Sequence, residues 1–142
     1  MWVRAPRLQI IKYNINSYIA NHYNILNTKK LPRINCISTK KSLRLISSLY
    51  SNRIIQAYTV SNTSTTNVIT FNSRYFRGVP YFGHFKIIST PSKVHSISAS
   101  GIRIISKSIG NSVLLVETDK GIINHLEAIK YNIGGKLLAI IS

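Results

Sequence analysis

Apolar residues recur at helical spacing twice in the first half of the chain. Residues 7–22 carry an apolar residue at about every third or fourth position, which predicts a first helix with one buried face. A second helix is expected to begin after Ser38 or Thr39, because either hydroxyl can cap a helix. The positions expected to face inward on this second helix are Leu43, Ile46, Leu49 and Tyr50.

Shorter segments between and after these helices indicate β-strands. A short strand is expected at residues 34–37, and Pro32 limits it to a sheet edge or to a late start because proline has no amide to donate. Residues 54–60 and 67–71 alternate apolar and polar side chains across a run of Ser, Thr and Asn, which predicts a β-hairpin. The polar segment Asn27–Lys30 is expected to connect the first helix to the first strand.

The last quarter of the chain predicts a strand, a loop, a short helix, a turn and a closing strand. Residues 113–116 are a branched apolar run, typical of a buried strand. Asn124 stands three residues before Glu127, the spacing of a helix capping box. The helix is expected to end at Asn132 and the chain to turn at Gly134-Gly135. Its inward-facing residues are expected to be Leu126, Ala128 and Ile129.

This order of elements predicts an α+β fold made of two small lobes. Residues 1–77 would form an N-terminal α/β lobe in the order α-β-α-β-β. Residues 78–142 would form a C-terminal lobe that is mostly β with one short helix. Residues 101–110 are expected to be a connection within this second lobe.

Arginines alternate with aromatic residues near the expected boundary, in residues 74–82. Such a strip can bind phosphates and stack on bases. Alternatively, Tyr81, Phe82 and Phe85 fill the interface between the lobes, and this is the preferred interpretation.

The charge of the chain limits the class of partner. The 142 residues include 19 Lys and Arg against three Asp and Glu, a net charge of +16, and residues 1–116 contain no acid. A hydrophobic content of 44% indicates a folded core rather than a disordered tail. A folded protein with this charge is expected to bind a polyanion such as RNA.

Other classes of function have little support in the sequence. Cys36 is the single cysteine, which excludes an internal disulfide or a thiolate zinc cluster, and the four histidines lack ligand spacing. No cofactor or metal is therefore expected. A metal-dependent nuclease would need Glu117, Asp119 and Glu127 to converge, whereas Glu127 is better explained as a capping residue. A basic protein lying on an anionic membrane is a third alternative.

The C-terminal residues resemble a known family. Lys120-Gly121-Ile122-Ile123-Asn124, followed by Glu127-Ala128 and Ile133-Gly134-Gly135, is similar to the closing signature of the universal small-subunit ribosomal protein number eight family. Thr39-Lys40 and Ser89–Lys93 also stand where that family has a Ser-Lys helix start and a Ser-Lys-Pro-Gly-Arg turn. The similarity covers residues 36–142, and residues 7–35 agree in the order of elements.

The resemblance implies a structural, non-enzymatic protein of the small ribosomal subunit. Such a protein would bind the central domain of small-subunit rRNA, help it to fold and contact neighbouring ribosomal proteins. One departure is Glu117-Thr118-Asp119, which replaces the family's Ser-Thr-Ser. The residues that the resemblance places at the RNA are Thr118, Lys120, Gly121, Asn124, Gly134, Gly135, Ser89, Thr90, Lys93, Thr39, Lys40 and Lys41.

The abundance of Ile, Asn, Ser, Lys and Tyr is typical of an AT-rich genome. Together with the resemblance, it predicts a protein encoded in an organelle genome, with the mitochondrial ribosome as its location. A plastid or a bacterial-type cytoplasm is the alternative.

Overall fold

A computed structural model describes residues 15–62 and 67–142. The described part contains four helices, α1 Ile15–Thr28, α2 Lys40–Ser51, α3 Ala99–Ser106 and α4 His125–Tyr131. Its strands are β1 Ile34–Ile37, β2 Ile55–Asn62, β3 Asn67–Ser73, β4 Tyr75–Phe76, β5 Val79–Pro80, β6 Phe85–Ile87, β7 Ser96–Ile97, β8 Val113–Thr118, β9 Gly121–Asn124 and β10 Gly135–Ile141. The α+β class predicted from the sequence is confirmed.

The N-terminal elements are a three-stranded antiparallel sheet and two helices. The strand order is β1-β3-β2, so β1 lies at an edge, as Pro32 before it predicts. The predicted hairpin is confirmed, because β2 and β3 pair antiparallel from Ile55–Ser73 to Asn62–Asn67.

Helix α1 continues to Thr28, beyond the end predicted at residue 22. The polar residues that indicated a connection do not end it, because Tyr23, Leu26 and Asn27 continue the buried face. The predicted residues 7–14 lie outside the described part of the chain.

Helix α2 begins at the predicted cap. The Thr39 hydroxyl accepts from the Ser42 amide at 3.1 Å, and the Ser42 hydroxyl accepts from the Thr39 amide at 2.7 Å. Ile46 and Leu49 are buried as predicted, together with Leu45. The prediction is wrong for Leu43 and Tyr50, which are 37% and 51% exposed. Each follows a buried position by one residue, about 100° of helix rotation, and so leaves the buried face.

The C-terminal elements build a second antiparallel sheet in the order β6-β10-β8-β9, with β7 also paired to β10. The predicted loop after β8 is instead a hairpin. Strand β9 pairs with β8 from Thr118–Gly121 to Leu115–Asn124, and only Asp119 and Lys120 form the turn. The apolar pair Ile122-Ile123 is too short to show strand periodicity in the sequence.

The prediction of a single C-terminal helix is wrong. Residues 99–106 form α3, whose N-cap Ser98 accepts from the Gly101 amide at 3.2 Å. Ile102 is fully buried and packs with Val116 and Ala128. A serine cap and one buried isoleucine therefore establish a helix where the glycine-flanked sequence predicted a connection.

Helix α4 confirms its predicted ends but not its predicted face. Asn124 Oδ1 accepts from the Glu127 amide at 2.8 Å, and Asn132 has a left-handed φ of 54°. Only this half of the predicted capping box is formed, because within the described residues the Glu127 side chain does not accept from the Asn124 amide. Ala128 is buried and Ile129 is half-buried, whereas Leu126 is 64% exposed. His125 replaces Leu126 on the buried face, where its Nδ1 accepts from the Leu114 amide at 3.2 Å.

One buried apolar cluster includes residues of α1, α2 and both large sheets. Asn24 joins α1 to β6, because its amide group donates to the Phe85 carbonyl at 2.9 Å and accepts from the Phe85 amide at 2.8 Å. Phe85 is buried and Phe82 packs against the cluster, so both contribute to the apolar core, as the preferred interpretation of the aromatic strip expects. Tyr81 is 53% exposed, and that part of the prediction is wrong. The division into lobes at residue 77 stays a prediction.

Candidate nucleic-acid interface

A groove of about 290 Å³ lies where α2, the turn after Ser89 and strands β8 and β10 meet. Three cationic side chains, Lys41, Arg44 and Lys136, line it with one carboxylate, Glu117. The complete lining is Ile15, Asn16, Lys41, Arg44, Ser89, Pro91, Val94, Glu117, Ile122 and Lys136. The groove therefore brings the predicted residues Lys41 and Ser89 together, although they are far apart in the sequence.

The cap of α2 positions its basic residues. Lys40 and Lys41 are exposed in the first turn of α2, and Arg44 lies one turn after Lys41 on the same face. The Thr39 side chain is occupied by the capping box, so it fixes the start of the helix. Of the three predicted residues in this segment, Lys41 lines the groove.

Ser89 ties the basic turn to the closing strand. Its side chain is buried, donates to the Leu137 carbonyl and accepts from the His95 amide at 3.0 Å. The turn that follows is closed by two backbone hydrogen bonds between Thr90 and Lys93, at 2.9 and 3.1 Å. Lys93 is exposed beside this turn. Ser89 therefore shapes the groove, whereas Lys93 offers its charge to solvent.

The β8–β9 turn uses its own hydroxyl to hold its shape. Thr118 Oγ1 donates to the Gly121 carbonyl at 3.0 Å and accepts from the Lys120 amide at 3.1 Å. Gly121 has a φ of 102°, a conformation that a side chain would strain. The exposed Lys120 places Nζ 4.6 Å from the centroid of the Tyr131 ring, within cation–π distance.

The three carboxylates have different surroundings. Glu117 lies opposite Lys136 in the β8–β10 register, and its Oε2 is 3.9 Å from Lys136 Nζ. Asp119 is exposed in the turn, and Glu127 is exposed on α4. Within residues 15–62 and 67–142, no three His, Cys, Asp or Glu side chains group as metal ligands would. The carboxylates thus give no support to the nuclease alternative.

Asn124 and the two glycines hold backbone segments together. Besides capping α4, Asn124 donates from Nδ2 to Asn52 Oδ1 at 2.7 Å. A Cβ on Gly134 would lie 2.5 Å from the Ile97 carbonyl oxygen, and a Cβ on Gly135 would overlap the Glu117 carbonyl oxygen. These glycines are therefore required for close backbone approach rather than for a turn.

The sequence prediction missed two cationic residues of the groove. Arg44 has a readable signal, because it follows Lys41 by three residues on a helix that the sequence predicts. Lys136 has no comparable signal, since its position depends on the pairing of β10 with β8.

None of the described helices has the length and hydrophobicity needed to cross a membrane.

An α+β fold, a groove rich in cations and a net charge of +16 are typical of basic structural proteins that bind nucleic acid. The family model "Ribosomal protein S8" matches residues 15–142, most of the chain. The chain belongs to this family, and it is a structural ribosomal protein rather than an enzyme.

The chain is also similar to bacterial proteins named "Small ribosomal subunit protein uS8". Its identity to the protein of Brucella abortus (strain S19) is 28% over 111 residues, which cover 78% of this chain and 83% of that protein. The Brucella anthropi protein is 28% identical and the Brucella ovis protein 27% identical, with the same coverage.

Proposed function

We propose that this chain is a structural constituent of a mitochondrial small ribosomal subunit, in which it binds the central domain of the small-subunit rRNA and helps that domain to fold. The observation that carries the proposal is the groove in which Lys41, Arg44 and Lys136 converge. Membership of the ribosomal protein S8 family and the small-subunit relatives support the assignment to that subunit.

The groove cations supply the attraction to the RNA backbone. Lys41 and Arg44 can each neutralise a phosphate and release a condensed counterion, which makes binding dependent on salt, whereas Lys136 lies 3.9 Å from the Glu117 carboxylate. The exposed Lys40, Lys93 and Lys120 are proposed to add to this positive surface. These contacts hold the protein in place but do not read the RNA sequence.

The β8–β9 turn and its neighbours supply the shape that fits RNA. The shallow groove of an RNA helix presents 2′-hydroxyls and base edges, which backbone amides and hydroxyls can meet. Thr118 and Gly121 are the half-buried last pair of the hairpin, Lys120 is exposed in its turn, and these three residues are the proposed contacts. Thr90 is a further proposed contact beside Lys93, since this residue is half-buried.

Several of the residues expected at the RNA act by positioning others. Thr39 fixes the start of α2, and Ser89 fixes the basic turn against β10. Asn124, Gly134 and Gly135 hold α4 and β10 against their neighbours. Replacing one of these residues should therefore weaken RNA binding together with stability.

The C-terminal lobe, residues 78–142, is proposed to supply most of the contact surface, and α2 of the N-terminal lobe completes the groove. Neighbouring small-subunit proteins are the proposed protein partners. The mitochondrial location rests on the composition, and the bacterial relatives fit the alternative of a bacterial-type ribosome equally well.

Sedimentation of cell and organelle extracts tests the proposal. The chain is expected to sediment with the mitochondrial small subunit, to leave it in high salt, and to protect a helix of the central rRNA domain from chemical probes. Sedimentation with the large subunit or away from ribosomes contradicts the proposal. Sedimentation with a plastid or cytoplasmic small subunit contradicts the location alone.

A further inference from the structure

A small two-stranded hairpin stands apart from the groove. Within the described part of the chain, strands β4 and β5 pair only with each other, with Tyr75 opposite Pro80 and Phe76 opposite Val79. Arg77 and Gly78 form the turn with φ values of 52° and 80°, as in the type I′ turns of two-residue hairpins. The arginine is held in a conformation that residues other than glycine rarely adopt.

The two faces of this hairpin differ in exposure. Tyr75 and Pro80 are half-buried, whereas Phe76 and Val79 are 61% and 63% exposed. Tyr81 follows β5 and is 53% exposed. Phe76, Val79 and Tyr81 are thus three large apolar side chains presented to solvent within six residues of sequence.

Each exposed aromatic ring has an arginine beside it. Arg77 Cζ lies 5.2 Å from the centroid of the Phe76 ring, and Arg74 Cζ lies 4.6 Å from the centroid of the Tyr81 ring. Arg74 is also anchored, because its Nη1 donates to the Arg53 carbonyl at 3.3 Å. The cation–π contacts hold each guanidinium next to a ring.

The charge around this hairpin selects the class of partner. Residues 1–116 contain no carboxylate, so Arg53, Arg74 and Arg77 have no acid near them in sequence. A protein partner would have to supply carboxylates for these three arginines, whereas single-stranded RNA offers both bases to stack on the exposed rings and phosphates to neutralise the guanidinium groups.

We propose that the hairpin Arg74–Tyr81 is a second RNA-binding surface, which takes unpaired bases on Phe76 and Tyr81 and the adjoining phosphates on Arg74 and Arg77. The inference rests on the proposed rRNA binding and extends it from the groove to a single-stranded segment. The groove would hold a helical region by its backbone, and the hairpin would hold a neighbouring unpaired strand by its bases.

Binding of two RNA probes tests the proposal. A 12-nucleotide oligouridylate and a 12-base-pair RNA duplex are titrated with the full chain at 150 mM salt. The variant Phe76→Ala/Tyr81→Ala is expected to bind the single strand about tenfold or more weakly, because each stacked base contributes on that scale. Its affinity for the duplex and the salt dependence of single-strand binding should stay unchanged, since no charge is removed.

Matched variants keep the test decisive. Ile104→Ala removes an apolar side chain that is 70% exposed on α3, and it should bind both probes as the unaltered chain does. Phe76→Leu/Tyr81→Leu retains apolar bulk without the rings, so it should show the same loss if the alanine variant is unstable. Unchanged single-strand affinity in either double variant overturns the inference, and the surface would then serve a protein neighbour.

A groove variant separates this inference from the proposed function. Lys41→Gln/Arg44→Gln should weaken binding of the duplex. In this background, Phe76→Ala/Tyr81→Ala should still cause the same fold loss of affinity for the single strand. Normal duplex binding by the groove variant would contradict the proposed function alone.

Discussion

Glu117 is the carboxylate that lines the groove, and it faces a cation of the same groove. Its Oε2 lies 3.9 Å from Lys136 Nζ, and both side chains are about one-third exposed, so the pair contributes little to folding stability. The pair does reduce the positive charge of the groove and holds Lys136 away from a phosphate.

The substitution Glu117→Gln should release Lys136 and strengthen binding to the rRNA fragment severalfold. The slope of log affinity against log salt should steepen by up to about one, because Lys136 can then neutralise one more phosphate. The matched control is Glu127→Gln, which removes the same charge from an exposed carboxylate that does not line the groove. Equal gains in the two variants, or a loss in Glu117→Gln, would contradict this role.

His125 links stability to pH. It is buried, and its Nδ1 accepts from the Leu114 amide, so the folded protein holds a neutral ring. Burial lowers the pKa of His125 from its ordinary value of 6.5. The unfolded chain therefore binds more protons as the pH falls through about 6.5, and this protonation favours unfolding.

The melting temperature should accordingly fall when the pH is lowered from 7.5 to 5.5. In His125→Gln, whose side-chain oxygen can still accept from the Leu114 amide, the fall should be smaller because the titrating group is gone. Thermal melts of both proteins by circular dichroism measure this difference. An equal fall in the variant would show that other groups account for the pH dependence.

At the scale of elements, the two glycines before β10 allow backbones to approach closely. Gly134→Ala should lower the free energy of unfolding by about 1–3 kcal/mol, because the added methyl group meets the Ile97 carbonyl oxygen. Gly83→Ala is the matched control, since a Cβ there meets no atom within 4 Å. Urea unfolding of both variants tests the contrast, and equal stabilities would contradict the packing role.

Local chemistry was sufficient to predict many elements. The Thr39 cap, the β2–β3 hairpin and the left-handed Asn132 each depend on residues close together in sequence, and each is confirmed. Helix α3 was missed because its stability comes from Ile102 packing on Val116 and Ala128, which are distant in sequence. Such long-range packing cannot be read from the local pattern of apolar and polar residues.

The candidate site was predictable only in part for the same reason. Lys41 and Ser89 follow from motifs, but their meeting in one groove depends on how α2 packs beside β9 of the second sheet. Lys136 enters the groove through strand register, which the sequence does not specify. In the sequence, the acids at positions 117 and 119 suggested either an active site or two carboxylates in a loop expected to meet RNA phosphates. The structure gives Glu117 a basic partner, Lys136.

At the scale of the whole molecule, a folded core coexists with a net charge of +16. The core includes residues of both large sheets and of helices α1 and α2. The basic residues of α2 and of the second sheet are therefore attached to one core. Self-repulsion of the positive charge weakens the free protein and is relieved by a polyanion. RNA binding should therefore raise the free energy of unfolding of the protein.

The most direct measurement of the central claim is the salt dependence of binding to a central-domain rRNA fragment. The slope of log affinity against log salt is compared for the unaltered chain, the groove variant Lys41→Gln/Arg44→Gln and the control Lys29→Gln/Lys107→Gln. The control removes two exposed lysines that do not line the groove.

The groove variant is expected to lose about two units of slope and at least tenfold in affinity at 150 mM salt, because two phosphate contacts are removed. The control should retain the slope of the unaltered chain. Equal slopes in all three proteins would show that the groove does not bind the RNA backbone, and would contradict the account.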